Sequence, residues 1–143
     1  VAAKTRRENI MQATNLYEQY KTQSLQTLTP GETVVKLFEE ASKQVSMAIF
    51  LTNQGKTVKA FNAITKAQRI ISTLHRSLDM RYPISLQLDD MYRFLFDKLN
   101  EANVNRDVEL MKQLLGLIDE LKVTFRQADK LARAESVRGV SNE

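Results

Sequence analysis

Along most of the chain, apolar residues recur every three or four positions between short polar interruptions, the period of an amphipathic α-helix. The first stripe is Val34, Leu37, Phe38, Ala41, Val45, Ala48 and Ile49, preceded by Thr29-Pro30-Gly31-Glu32. That tetrapeptide reads as a helix start, with Thr29 as N-cap, Pro30 at the first helical position and Glu32 closing a capping box. Asn53-Gln54-Gly55 ends the stripe, since Gly tolerates the left-handed residue that follows many helix ends. The spacing predicts a first helix over 30–54. A second, over 57–80, carries Phe61, Ile64, Gln68, Ile71, His75 and Leu78. Pro83 marks a new start, because the residue before a proline avoids the helical region. The third helix holds Leu88, Met91, Leu95, Leu99 and Ala102 and runs to Asn103. After the polar break Asn103-Val104-Asn105-Arg106, Asp107 can cap a fourth helix, which carries Met111, Leu114, Ile118, Leu121, Phe125 and Ala128 as far as residue 132. Gly116 falls inside it, a local cost of ~1 kcal/mol against Ala that packing must offset.

Connections of about two to four residues between long amphipathic helices make successive helices antiparallel. The expected fold is therefore all-α, an antiparallel up-down four-helix bundle with a short N-terminal helix or arm. The expected organisation is a flexible tail over 1–14, an arm or short helix over 15–28, the bundle over 29–132 and a flexible tail over 133–143. No alternating strand pattern competes with it.

The second helix has more apolar surface than a bundle helix needs. Ala60, Ala63, Ala67, Ile70 and Leu74 form a second row beside the main stripe. Together the rows cover about half the circumference, against roughly three positions in seven for an ordinary bundle helix. Three alanines permit close approach of another helix, while Ile70 and Leu74 supply apolar grip. The third helix shows a similar surplus in Tyr92, Phe96, Leu99 and Asn103, and the fourth in Leu110, Leu117 and Leu131. Two explanations compete: tighter internal packing, with two neighbours touching the second helix, or a groove that receives a segment of another protein. Pattern alone does not choose.

Composition narrows the chemistry. The 143 residues include no Cys, no Trp and one His, which removes disulfides, thiolate zinc sites and a cysteine nucleophile. His75 lies on the apolar stripe and reads as a half-buried histidine with a local hydrogen bond. Asp89 and Asp90 are adjacent, so on a helix their side chains diverge by ~100° and cannot jointly clasp an ion; they read as a negative first turn favoured by the helix dipole. Thr29-Pro30-Gly31 lacks the second Gly and the Lys-Ser/Thr pair of a phosphate loop, and the Glu-x-x-His repeat of a di-iron bundle is missing. The expectation is no enzyme, no cofactor and no metal. The formal charge of +4 concentrates in residues 1–10 and 55–81, whereas 82–131 has an acidic excess. Phe61 is the one aromatic of the basic stretch, and its spacing marks it as core. Lys59, Asn62, Lys66, Arg69, Thr73 and Arg76 fill the face opposite the stripe, so the basic run reads as solvated surface rather than a nucleic-acid site. No apolar run nears the ~20 residues of a membrane span. Val1-Ala2-Ala3-Lys4 lacks a signal peptide's apolar core, and a start without Met suits a processed or trimmed chain. A soluble protein of a reducing compartment is expected, with no membrane partner.

Several segments together resemble the flagellin-specific export chaperones, the FliS family. These are Asn15-Leu16-Tyr17 with Tyr20-Lys21-Thr22-Gln23 and Thr27-Leu28-Thr29-Pro30; Lys66-Ala67-Gln68-Arg69-Ile70-Ile71 leading to Leu74 and Ser77-Leu78-Asp79; Leu88, Met91-Tyr92, Leu99 and Ala102-Asn103 before Asp107; and Leu114-Leu115 with Leu121 ahead of an aromatic. The likeness spans residues 15–128. It departs from the family at Arg81-Tyr82-Pro83-Ile84, where a Gly-rich turn is frequent, and at Phe125, where a Trp is common. The resemblance implies a cytoplasmic helical bundle that binds the C-terminal segment of unpolymerised flagellin, prevents premature polymerisation and delivers the subunit to the flagellar type III export apparatus. It implies binding without turnover. The partner-binding residues expected from the surplus rows are Ala60, Ala63, Ala67, Ile70, Leu74, Tyr92, Phe96 and Leu99, and the resemblance adds Tyr17 and Tyr20 on an N-terminal arm that plugs the groove. It leaves open a further contact with the export gate or a co-chaperone, and a monomer or weak homodimer. The reading that competes with it is a basic helical bundle with a regulatory or nucleic-acid-binding role.

Overall fold

The computed structural model describes residues 30–141, with side chains through 139, as four helices: α1 (Pro30–Asn53), α2 (Thr57–Arg76), α3 (Ile84–Asn105) and α4 (Val108–Ser141). No strand occurs among the described residues. α1 packs on α2 and α4, and α3 packs on the same two, so the helices close a ring in chain order. Links of three residues (54–56) and two residues (106–107) leave no length to cross the bundle and fold successive helices back on each other. This is the expected all-α bundle. Thr29, Tyr17 and Tyr20, and with them the capping box and the arm, lie outside the described residues.

The punctuation works as the residue types dictate. Gly55 has φ +76°. The Lys56 N–H donates to the Leu51 carbonyl at 2.9 Å and the Gly55 N–H to the Thr52 carbonyl at 3.0 Å, the paired bonds of a Schellman end. α3 ends with the same pair of bonds, Asp107 N–H to Ala102 and Arg106 N–H to Asn103, although the left-handed position is held by Arg106 at φ 51°. Asp107 then caps α4: its Oδ1 accepts from the Leu110 N–H at 3.1 Å.

Three boundaries differ from the expectation. α3 runs on to Asn105, through most of the expected polar break. α2 ends at Arg76 rather than near 80, and its link to α3 spans seven residues, 77–83. Polar side chains there compete for backbone groups. Ser77 Oγ donates to the Leu74 carbonyl at 2.7 Å, and Asp79 Oδ1 accepts from the Arg81 N–H. The buried Ser85 hydroxyl closes the turn on the Asp79 carbonyl at 2.6 Å. α4, conversely, continues past 132 to Ser141, with every described side chain from 131 to 139 exposed. An apolar stripe reports packing, not helicity; Leu131-Ala132-Arg133-Ala134-Glu135 consists of good or fair helix formers and needs no stripe to stay helical.

The buried cluster joins all four helices: Phe38, Ala41, Val45 and Ala48 of α1; Ala63, Ile64, Ala67, Ile71 and Leu74 of α2; Tyr92, Leu95, Leu99 and Ala102 of α3; Met111, Leu114 and Ile118 of α4. Phe125 fills the far part of α4 by stacking on Phe38 with centroids 5.2 Å apart. Polar ties run along the α1–α4 seam. Ser42 Oγ donates to Asp119 at 2.6 Å, Arg126 meets Glu39 at 2.9 Å, and Arg133 bridges Glu32 and Asp129. Gly31 lies on this seam, where any Cβ would run into the Asp129 carboxylate.

On α2 the two apolar rows prove to be halves of one buried face. Ala60, Ile64, Ala67, Ile71 and Leu74 sit within about 40° of a common line at 100° per residue, with Phe61 and Ile70 on opposite edges. Those five are buried, whereas Phe61 is 50% exposed, so its expected place in the core is corrected. The surplus is internal packing between two neighbours, α1 and α3. Gly116 is also corrected: it is exposed and a Cβ there would meet nothing within 4 Å, so packing does not offset its cost.

Candidate functional site

Among the eight residues expected to contact a partner, the structure buries six. Ala60, Ala63, Ala67, Leu74, Tyr92 and Leu99 are each 4% exposed or less, inside the bundle's own core. The expectation that they form an outward row is therefore corrected. Ile70 is half-buried at the edge of α2 away from Phe61, and Phe96 is exposed. These two do not share a face.

What the surface offers instead is the groove between α2 and α3. Ile71, Ser72 and His75 line it from α2; Tyr92, Arg93, Phe96 and Asp97 line it from α3. Two side-chain amides hold its walls together. Gln68 Nε2 donates to the Phe96 carbonyl at 3.3 Å, and Asn103 Nδ2 donates to the Phe61 carbonyl at 3.2 Å. Gln68 and Asn103 are buried with their hydrogen bonds made, so each costs little to enclose. Both accepting residues keep their own rings outside, Phe61 at 50% and Phe96 at 40% exposure. The groove thus has a fixed floor and one accessible aromatic ring, Phe96; Phe61 lines a separate hollow further along α2, with Thr52, Val58, Asn103 and Arg106.

At the end of the groove towards the 77–83 link, His75 Nε2 is hydrogen-bonded to Asp89 Oδ1, and Arg93 Nε reaches Asp89 Oδ2 at 3.2 Å. The His75 hydrogen bond holds the Asp89 carboxyl below the usual carboxylate range, with Arg93 adding to the effect. The His75 ring stands edge-on to Tyr92, centroids 6.5 Å apart. Burial pushes the Tyr92 phenol up to about 12. Ser72 lines the same groove without a hydrogen bond to His75. The His75–Asp89 pair is accordingly a tie between helices. No cluster of metal-ligating side chains occurs among the described residues, and no described helix is long and apolar enough to cross a membrane.

Phe61 is the functional candidate that periodicity misplaced. Its position fits the stripe by spacing, yet it lies at the stripe's edge, and the centre of the combined rows would have revealed this. Val58 beside it, and Met80, Tyr82, Ile84 and Leu86 around the 77–83 link, are exposed apolar residues that no stripe flagged.

Comparison with known proteins gives a consistent result. The family described as flagellar protein FliS matches residues 13–132. The flagellar secretion chaperone FliS of Bacillus subtilis (strain 168) is 25% identical over 121 residues, covering 85% of this chain and 91% of that protein. The flagellar secretion chaperone FliS of Salmonella typhimurium (strain LT2) is 25% identical over 126 residues, covering 85% and 93%.

Proposed function

The chain belongs to the FliS family of flagellar proteins, and on that premise we propose that it is a cytoplasmic flagellar export chaperone whose client is the C-terminal segment of unpolymerised flagellin. The observation that carries the reading is the α2–α3 groove with Phe96 exposed on it and Phe61 exposed over the hollow further along α2. A client segment that spans the α2–α3 seam and covers both rings gains roughly 2 kcal/mol from each at about 25 cal/mol per Å². That gain must exceed the entropy the segment loses on ordering. Tyr92 serves as floor, and Phe96 as the contact retained from the sequence reading. Ala60, Ala63, Ala67, Leu74 and Leu99 act beneath the surface, by fixing the spacing of α2 against its neighbours. Ile70 offers a separate contact on the other edge of α2, and Tyr17 and Tyr20 a plug in the free protein. The chaperone sequesters the segment from self-assembly and releases it unchanged at the export apparatus; no bond is made or broken.

Calorimetric titration with a flagellin C-terminal segment tests the site. Phe96→Asp is expected to weaken binding at least tenfold, because it places a charge where an apolar contact forms, while leaving helicity as it was. Unchanged affinity in a folded Phe96→Asp protein would remove the groove from the account.

A further inference from the structure

The helix that forms one wall of the groove is unlike the others in how its charge is satisfied. α2 contains Lys59, Lys66, Arg69 and Arg76 and no Asp or Glu. All four are exposed, and none makes an ion pair or side-chain hydrogen bond among the described residues. On the other helices, most cations reach a carboxylate, as in Arg93–Asp89 at 3.2 Å, Lys98–Glu101 at 2.9 Å and Arg126–Glu39 at 2.9 Å. The α2 cations project within an arc of about 100° and extend along about 26 Å of helix. Their arrangement is unfavourable in the free protein. Lys66 and Arg69 are like charges at i,i+3, and Lys59 stands in a first turn that has no acidic residue to meet the helix dipole.

The row meets the groove at its Arg69 and Arg76 end, while Lys66 and Lys59 lie further round α2, towards the Ile70 edge. Ser72, on the groove wall, lies three residues after Arg69 and four before Arg76, so both cations are its neighbours on the helix surface. We propose that Arg69 and Arg76 dock, and that the row as a whole steers, acidic side chains of the polypeptide that occupies the α2–α3 groove. The proposal rests on the client reading above and adds to it the charge of the client. A polypeptide fits better than a nucleic acid. The opposite wall carries Asp97, which repels a continuous phosphate backbone, whereas carboxylates confined to one edge of a peptide meet only the cations.

The test is stopped-flow association of the full chain with a fluorescently labelled flagellin C-terminal segment. The association rate constant should fall about tenfold between about 20 and 500 mM salt. The variant carrying Lys59→Gln, Lys66→Gln, Arg69→Gln and Arg76→Gln should associate about tenfold more slowly at low salt, with a flat salt dependence and a dissociation rate within twofold of the parent. A peptide with its Asp and Glu changed to Asn and Gln should bind the parent at the variant's slow rate. A complex that forms at a rate indifferent to salt and to the four substitutions overturns the proposal and leaves the client reading standing. The proposal is also overturned if the substitutions abolish binding of a labelled single-stranded oligonucleotide while the peptide's rate is untouched. Absence of any complex with the peptide overturns the client reading, and this proposal with it.

Discussion

Single residues carry some of the clearest consequences of this structure. Gly116 sits mid-helix, exposed, with open space where a Cβ would go. Gly116→Ala should therefore stabilise the chain by ~0.5–1 kcal/mol, read as a higher urea midpoint at unchanged slope. Its cost was legible in the sequence; the lack of any compensating contact was not, because a period cannot say how close a neighbour comes. Asp89 shows the same gap from the other side. In the sequence it is half of an adjacent acidic pair, and nothing there connects it with His75 fourteen residues earlier. In the fold the two meet across α2 and α3. Because its folded pKa is depressed, Asp89 contributes stability that is present above the ordinary carboxylate value of 3.8 and is lost as pH falls through the lower folded value. The Asp89→Asn protein should be less stable than the parent at neutral pH. The difference should shrink as pH drops below about 3.8, measured by denaturant midpoints across pH.

Elements show what periodicity can and cannot deliver. The end at Gly55, the cap at Asp107 and the start at Pro83 were legible because each depends on one residue's backbone or capping preference. The end of α2 was not, since it depends on Ser77, Asp79, Arg81 and Ser85 acting together across a turn. Nor was the reach of α4, whose last turns are helical without being packed. The two rows on α2 illustrate the deeper limit: each row is a correct reading of spacing, but only the neighbours on both sides make them one face. Core and rim residues should then part company under the same substitution. Leu74→Asp, which puts a charge at a position 1% exposed, is expected to cost more than about 3 kcal/mol and to lower the melting temperature sharply. Phe96→Asp should leave the melt within a few degrees of the parent. Equal melts for the two would mean that Leu74 is not core.

At the scale of the whole molecule, the ring α1–α2–α3–α4 puts the most alanine-rich buried face, that of α2, between two neighbours and turns its cationic face outward. The packing that looked like spare binding surface is what makes the α2–α3 wall rigid, and the accessible rings Phe61 and Phe96 stand on that wall. The bundle was readable because stripes and punctuation agree along the whole chain. The groove was only partly readable, because exposure is a property of the assembled helices. Membership of the FliS family, at 25% identity to the relatives compared, gives the bundle an export-chaperone role. The most direct test is calorimetric titration of the chain with intact monomeric flagellin and with flagellin lacking its C-terminal segment. The account predicts a one-to-one complex with the intact protein and a loss of affinity of at least a hundredfold with the truncated one. Equal binding of the two would contradict it.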